Sequence, residues 1–137
     1  MIKIESNKKL INKSSQEVFD FLTDFTNFSL LVPDKVENWK ATNDKCSFTI
    51  KGFGEFGMRI IEKNPYTSII ITNDEEVSMP IGFKFFWEFI EKSNSSVEVM
   101  AVFNLDINPM MGVMVKKPLS EFVNVLVEKL KEKMESN

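Results

Sequence analysis

Residues 111–134, MGVMVKKPLSEFVNVLVEKLKEKM, are the stretch that decides the fold. Apolar residues recur in it at steps of three and four, which is the spacing of one face of an α-helix. These residues are Met111, Val115, Leu119, Phe122, Val123, Leu126, Val127, Leu130 and Met134. Polar residues such as Glu121, Asn124 and Glu128 occupy the other side. The pattern predicts one long amphipathic helix with a buried face.

Pro118 lies inside this pattern. The apolar spacing continues through it, which favours a kinked helix that begins after Asn108. A helix that begins near Pro118 is the alternative, because proline suits the first helical turn.

The middle of the chain has the two-residue period of β-strands. It predicts strands at Val36–Ala41, Cys46–Lys51, Glu55–Glu62, Thr67–Asn73, Gly82–Glu91 and Ser96–Ile107. Turn-forming residues separate these segments, and such short connections predict an antiparallel meander. Near the N-terminus, Ile2 and Ile4 alternate with Lys3 and Glu5, which predicts one further strand from Ile2 to Ile11.

Two short helices are predicted after this first strand. Ser14 and Glu17 have the spacing of a capping box, and they precede apolar residues at helical spacing. A second helix follows from about Phe25 to Leu31, and Pro33 ends it.

The composition argues against several classes of function. The chain has thirteen phenylalanines and no histidine, so it lacks the commonest general acid–base group and metal ligand. Its net charge is −3 and Arg59 is its only arginine, so no basic stripe for nucleic acid is present. Cys46 has no disulfide partner, and no histidine could activate it as a nucleophile. We therefore predict no catalytic residue, no metal ligand and no cofactor site.

The first residues lack the apolar segment of a secretory signal, and no apolar run has the length of a membrane span. These observations predict a cytoplasmic protein that does not insert into a membrane.

The segment GFGEFG, residues 52–57, matches the glycine pattern of dinucleotide-binding loops. That motif requires a helix directly after the glycines. Residues 58–61, MRII, alternate like a strand instead. The glycines therefore predict a hairpin turn.

The order strand, two short helices, six strands and long helix resembles the START/Bet v 1-like superfamily, also called SRPBCC or polyketide cyclase/dehydrase-like. The segment from Ser14 to Asp24 and the following Pro33 are similar to that family as well. Its members often carry a Ser/Ala-x-x-x-Val-Trp/Phe helix ended by Asp, and a proline before the second strand.

The resemblance covers essentially the whole of residues 1–137 and implies a single domain of the α+β class. In this helix-grip fold, a seven-stranded curved antiparallel sheet wraps the long C-terminal helix and encloses a cavity. Members bind lipids, hormones or polyketides, while some are enzymes and others bind protein partners. The fold alone does not choose among these functions.

Strand alternation and the helix pattern predict which residues surround such a cavity, with two of them near its mouth. They are Phe28 and Leu31 at the mouth, and Phe48, Met58, Phe85, Trp87, Phe103, Met111, Val115 and Phe122. The alternative is that the same rings fill the interior as an ordinary core.

The leading hypothesis is non-catalytic binding of a small apolar molecule, such as a lipid, a polyketide or an aromatic metabolite, between the sheet and the C-terminal helix. The alternative is a protein-interaction module or homodimer that acts through the outer sheet face. Alternation places six apolar residues on that face: Ile61, Ile70, Phe86, Ile90, Met100 and Val102. A cyclase or dehydratase is a third hypothesis, which needs an inward polar group such as Tyr66 or Asn73.

Overall fold

Eight strands, two α-helices and one 3-10 helix form the described part of the computed structural model, residues 2–52, 54–77 and 82–136. In chain order they are β1 Ile2–Glu5, β2 Lys9–Ile11, α1 Ser15–Leu22, the 3-10 helix Phe25–Leu30, β3 Val36–Ala41, β4 Lys45–Ile50, β5 Gly54–Asn64, β6 Ser68–Asn73, β7 Gly82–Ser93, β8 Ser96–Asp106 and α2 Pro109–Glu135.

The strands form one curved antiparallel sheet in the order β1-β8-β7-β6-β5-β4-β3, and β2 pairs with β8 beside β1. The helix α2 contacts β1, β2 and β8. Its residues Val123, Leu126, Val127 and Leu130 are buried in one core with the concave face of the sheet. The predicted helix-grip architecture of the α+β class is confirmed.

The first strand differs from the prediction, because Ile2 to Ile11 forms two strands rather than one. Glu5 of β1 lies opposite Val102 of β8, and Lys9 of β2 lies opposite Val99 of the same strand. Four steps along the chain from Glu5 to Lys9 therefore match three steps along β8, which leaves one extra residue between β1 and β2. This bulge lets Ile4 and Ile11, an odd number of positions apart, both face the core. The sheet therefore has eight strands instead of seven.

Ser6 stabilises this interruption with its side chain. Its N–H donates to the Ala101 carbonyl at 2.8 Å, and the Ala101 N–H donates to Ser6 Oγ at 2.9 Å. The hydroxyl oxygen thus replaces a backbone acceptor that the bulge removes.

Substituting Ser6→Ala is expected to lower the free energy of unfolding by about 1–3 kcal/mol, because the buried Ala101 N–H loses its acceptor. Urea unfolding measures this change, and Ser29→Ala, at an exposed serine, is the matched control. Equal midpoints for the two variants would show that water replaces the hydroxyl.

The two short helices lie where the sequence predicts them. Glu17 N–H donates to Ser14 Oγ at 3.1 Å, and Ser14 N–H donates to Glu17 Oε1 at 3.4 Å, which completes the capping box. The second is a 3-10 helix that begins where Thr26 N–H donates to Asp24 Oδ1 at 2.9 Å. It buries Phe25 and Phe28 against the core.

The long helix begins at Pro109 and continues through Pro118, as the uninterrupted apolar spacing predicts. Met111 N–H donates to the N-cap side chain of Asn108 at 2.9 Å. Gly112 lies so close to the Ile2 side chain that a Cβ atom there would collide with it. Close packing of α2 on β1 therefore depends on this glycine. Neither α-helix in the described residues has the length and apolar character needed to cross a membrane.

The glycine motif forms the hairpin between β4 and β5, as predicted. Gly52 and Gly54 have φ angles of +91° and +112°, which L-residues rarely adopt, and β5 begins at Gly54. Phe53 lies outside the described residues.

Candidate functional site

A cavity of about 790 Å³ lies between the concave face of the sheet and α2. Apolar residues of five elements form its interior wall: Phe48 and Ile50 of β4, Phe56 and Met58 of β5, Phe83 of β7, Phe103 and Leu105 of β8, and Val115, Pro118, Leu119, Phe122 and Val125 of α2. This volume falls within the range of small-molecule sites in proteins, roughly 300–1,000 Å³.

The mouth of the cavity is the place where its lining becomes charged and exposed. The loop before β3 contributes Asp34 and Lys35, the β4–β5 turn contributes Lys51, and α2 contributes Lys117 and Glu121. All five are exposed, and they are the only charged residues of the described lining.

A closed circuit of eight aromatic rings supports the interior. Consecutive ring centroids lie 4.6–6.5 Å apart, close enough for direct contact. The circuit runs Phe28, Trp39, Phe48, Phe56, Phe83, Phe103, Phe85, Trp87 and back to Phe28. Four of these rings, those of Phe48, Phe56, Phe83 and Phe103, line the cavity, and each contacts two other rings of the circuit.

Seven of the ten predicted residues lie at the cavity or at its inner end. Five line the cavity itself: Phe48, Met58, Phe103, Val115 and Phe122. Phe28 and Phe85 line a void of about 10 Å³ that shares Phe48, Met58, Phe103 and Phe122 with the main cavity. A void of this size holds at most one water molecule.

The other three predicted residues do not line the cavity. Leu31 is fully buried, and the mouth is formed by the residues that follow it, beginning at Pro33. Trp87 is also fully buried and lies behind Phe28 and Phe85, whose rings it contacts.

Met111 is 40% exposed and is not among the residues that line the cavity. In this first helical turn it is Gly112, the next residue, that packs against Ile2 of β1.

Several lining residues were missed by the sequence reasoning. Phe56 and Phe83 share strand faces with Met58 and Phe85, so alternation alone was sufficient to find them. The charged residues of the mouth gave no such signal, because lysines and carboxylates in loops and on helix surfaces are ordinary.

The burial of Trp87 gives a direct spectroscopic prediction. A Trp39→Phe variant leaves Trp87, which is fully buried, as the sole tryptophan emitter. Iodide is expected to quench it much less than the half-buried Trp39 that remains in a Trp87→Phe variant. Equal quenching of the two variants would contradict the placement of Trp87 behind the cavity wall.

The reactive groups of the chain lie away from the cavity interior. Burial raises the pKa of the Cys46 thiol far above its usual range, so this thiol stays protonated. Arg59 pairs in register with Lys45 on β4 and Thr72 on β6, so it faces away from Met58 and the cavity.

The two polar residues considered for catalysis also have other surroundings. Tyr66 is 39% exposed and packs edge-on against Phe19. The Asn73 side chain accepts from the Phe83 N–H at 3.3 Å. Neither residue lines the cavity.

A lysine of α2 fastens the loop that forms one side of the mouth. Lys129 Nζ donates to the Val32 carbonyl at 3.2 Å, directly before the lining residues Pro33 to Val36. This bond holds the loop against the helix.

On the outer sheet face, five of the six apolar residues assigned there lie outside the buried core, and Val102 is the exception. Ile61 and Ile90 are 43% and 51% exposed, and Ile70, Phe86 and Met100 are half-buried. Val102 is only 2% exposed. Its cross-strand neighbours Phe86 and Glu5 flank it, so the expected contribution of Val102 to an exposed patch is wrong.

No protein-family model matches the sequence, and a comparison with curated proteins gives no match. Solved structures, in contrast, match nearly the whole chain. A START superfamily protein from Mycobacterium smegmatis is 12% identical with a TM-score of 0.76, covering 98% of this chain and 97% of that one.

Two enzyme-related structures are similar as well. A norcoclaurine synthase point mutant from Thalictrum flavum, in complex with a transition state analogue, is 10% identical with a TM-score of 0.76, covering 98% of this chain and 94% of that one. The di-domain ARO/CYC protein BexL is 15% identical with a TM-score of 0.68, and the match covers 100% of this chain but 48% of that one. The chain therefore has the helix-grip fold of the START/Bet v 1-like (SRPBCC) superfamily, as its first helix and its order of elements predicted.

Proposed function

We propose that this protein binds a small apolar molecule, such as a lipid, a polyketide or an aromatic metabolite, in the cavity between its sheet and α2, without catalysing a reaction. The observation that carries the proposal is the size of the cavity, about 790 Å³, together with its apolar interior. We place this binding in the cytoplasm, where the unpaired thiol of Cys46 stays reduced.

The free energy gained by burying apolar ligand surface supports binding. A ligand that transfers about 300 Å² of apolar surface into the cavity gains roughly 7.5 kcal/mol at 25 cal/mol per Å². Part of this gain offsets the entropy lost on association. The rings of Phe56, Phe83 and Phe103 line the cavity and supply part of the apolar surface that such a ligand would contact.

The similar structures support the same class of ligand. Norcoclaurine synthase from Thalictrum flavum has been crystallised with dopamine and hydroxybenzaldehyde, which are small aromatic molecules. Because the identity is 10%, this likeness shows the fold and suggests the kind of ligand without transferring the reaction.

The experiment is a titration with N-phenyl-1-naphthylamine, a neutral dye whose emission rises in apolar surroundings. We expect a saturable increase that fits one site for each chain. A response that does not saturate, or no response, would contradict the proposal.

A second candidate function is self-association through the outer sheet face, which the exposure of Ile61 and Ile90 favours. Exposed apolar groups on a sheet face mark contact surfaces when they are contiguous. Across the sheet, Ile70 of β6 lies opposite Phe86 of β7 and opposite Glu62, the residue after Ile61 on β5. Glu88 lies between Phe86 and Ile90 on β7 and opposite Met100 on β8.

Sedimentation equilibrium tests this candidate. The wild type is expected to form a dimer that Ile61→Lys combined with Ile90→Lys converts to a folded monomer. A wild type that is monomeric at high concentration would exclude self-association.

A further inference from the structure

We infer that the ligand is an anionic amphiphile, with its apolar body in the cavity and its carboxylate, sulfonate or phosphate group at the mouth, beside Lys35, Lys51 and Lys117. This inference rests on the proposed function, and it adds the charge and the orientation of the ligand.

The interior wall excludes polar groups from the inner part of the cavity. Every non-charged residue of its described lining is apolar, so a polar ligand atom placed there would lose its hydrogen bonds to water without replacement. One buried side-chain donor in the described residues has no partner, the Nε1–H of Trp87. The rings of Phe28 and Phe85 contact this indole, and Trp87 does not line the cavity. A polar ligand group is therefore stable only at the mouth.

The charges at the mouth select the sign of that group. Lys35 of the loop before β3, Lys51 of the β4–β5 turn and Lys117 of α2 all line this one opening. Asp34 and Glu121 are the two carboxylates at the same opening. Lysines therefore outnumber carboxylates at the mouth, although the whole chain has a net charge of −3.

None of these three lysines takes part in an ion pair within the described residues. The ion pairs found there are Lys9–Glu128, Lys45–Glu76 and Lys131–Glu135. The ammonium groups at the mouth can therefore meet a ligand anion without first breaking a salt bridge.

The test compares two dyes that share an anilinonaphthalene body. N-phenyl-1-naphthylamine is neutral, whereas 8-anilinonaphthalene-1-sulfonate carries one sulfonate. We expect Lys51→Gln combined with Lys117→Gln to weaken binding of the sulfonate by about fivefold or more, since each exposed charge pair contributes modestly. Binding of the neutral dye should change less than about twofold, and added salt should weaken only the sulfonate.

The matched control is Lys116→Gln, which removes a neighbouring exposed lysine that does not line the cavity. Competition between the two dyes, together with unchanged melting temperatures, establishes that they share one site in folded protein.

The outcomes separate the two proposals. If the neutral dye binds and the double variant leaves sulfonate binding unchanged, the amphiphile inference is overturned and the cavity proposal stands. An equal loss in Lys116→Gln would also overturn the inference, because it would indicate general attraction to the surface. If the neutral dye fails to bind, both proposals fall.

Discussion

Leu126→Asp is expected to unfold the protein. Leu126 is 2% exposed, lies on the buried face of α2 and lines the small inner void beside Phe28 and Phe85. Truncating a buried leucine costs about 2–5 kcal/mol, and placing an unpaired carboxylate in an apolar site adds several more. The sum is comparable with the whole stability of an ordinary domain, roughly 5–15 kcal/mol.

Thermal unfolding followed by circular dichroism measures this effect. Val113→Asp is the control, because it makes the same kind of change on the same helix at a position that is 79% exposed. The control should keep a melting temperature within a few degrees of the wild type. A cooperative transition near the wild-type temperature in Leu126→Asp would show that α2 does not hold the sheet.

The second large effect concerns ligand binding. Val115→Trp combined with Leu119→Trp is expected to weaken the binding of N-phenyl-1-naphthylamine more than about tenfold. Both residues line the cavity from α2, so the two indole rings enter space that a ligand would otherwise occupy. Because existing space is filled, the melting temperature should stay equal or rise.

Val113→Trp combined with Met114→Trp gives the matched control for dye binding. These residues are 79% and 76% exposed on the same helix, so the added rings should leave dye binding unchanged. Undiminished binding in the Val115 and Leu119 variant would mean that the dye occupies another place.

Much of the fold was predictable because burial in this protein follows simple periods. The apolar spacing of residues 111–134 placed α2 on the sheet and carried it correctly through Pro118. Two-residue alternation assigned Phe85 and Phe103 to the inner face and Phe86 to the outer face. Ser14 and Glu17 located α1, since a capping box is a local feature of the sequence.

The errors arise where a contact between distant residues replaces a local pattern. The bulge at Ser6 depends on the backbone of Ala101, which strand alternation alone does not indicate. Met111 is exposed, and the next residue, Gly112, packs against Ile2 of β1. The mouth of the cavity was not predicted for the same reason, because Lys51 and Lys117 are distant in sequence and only the fold brings them to one opening.

Ligand binding inside the cavity is tested by the nuclear Overhauser spectrum of the complex with N-phenyl-1-naphthylamine, in protein labelled at its methionine methyl groups. Met58 lines the cavity and is 5% exposed, whereas Met110 and Met114 are 83% and 76% exposed on the outside of α2. We expect contacts between the dye protons and the Met58 methyl group, and none to Met110 or Met114. Contacts to Met110 or Met114 without any to Met58 would place the ligand on the helix surface and contradict binding in the cavity.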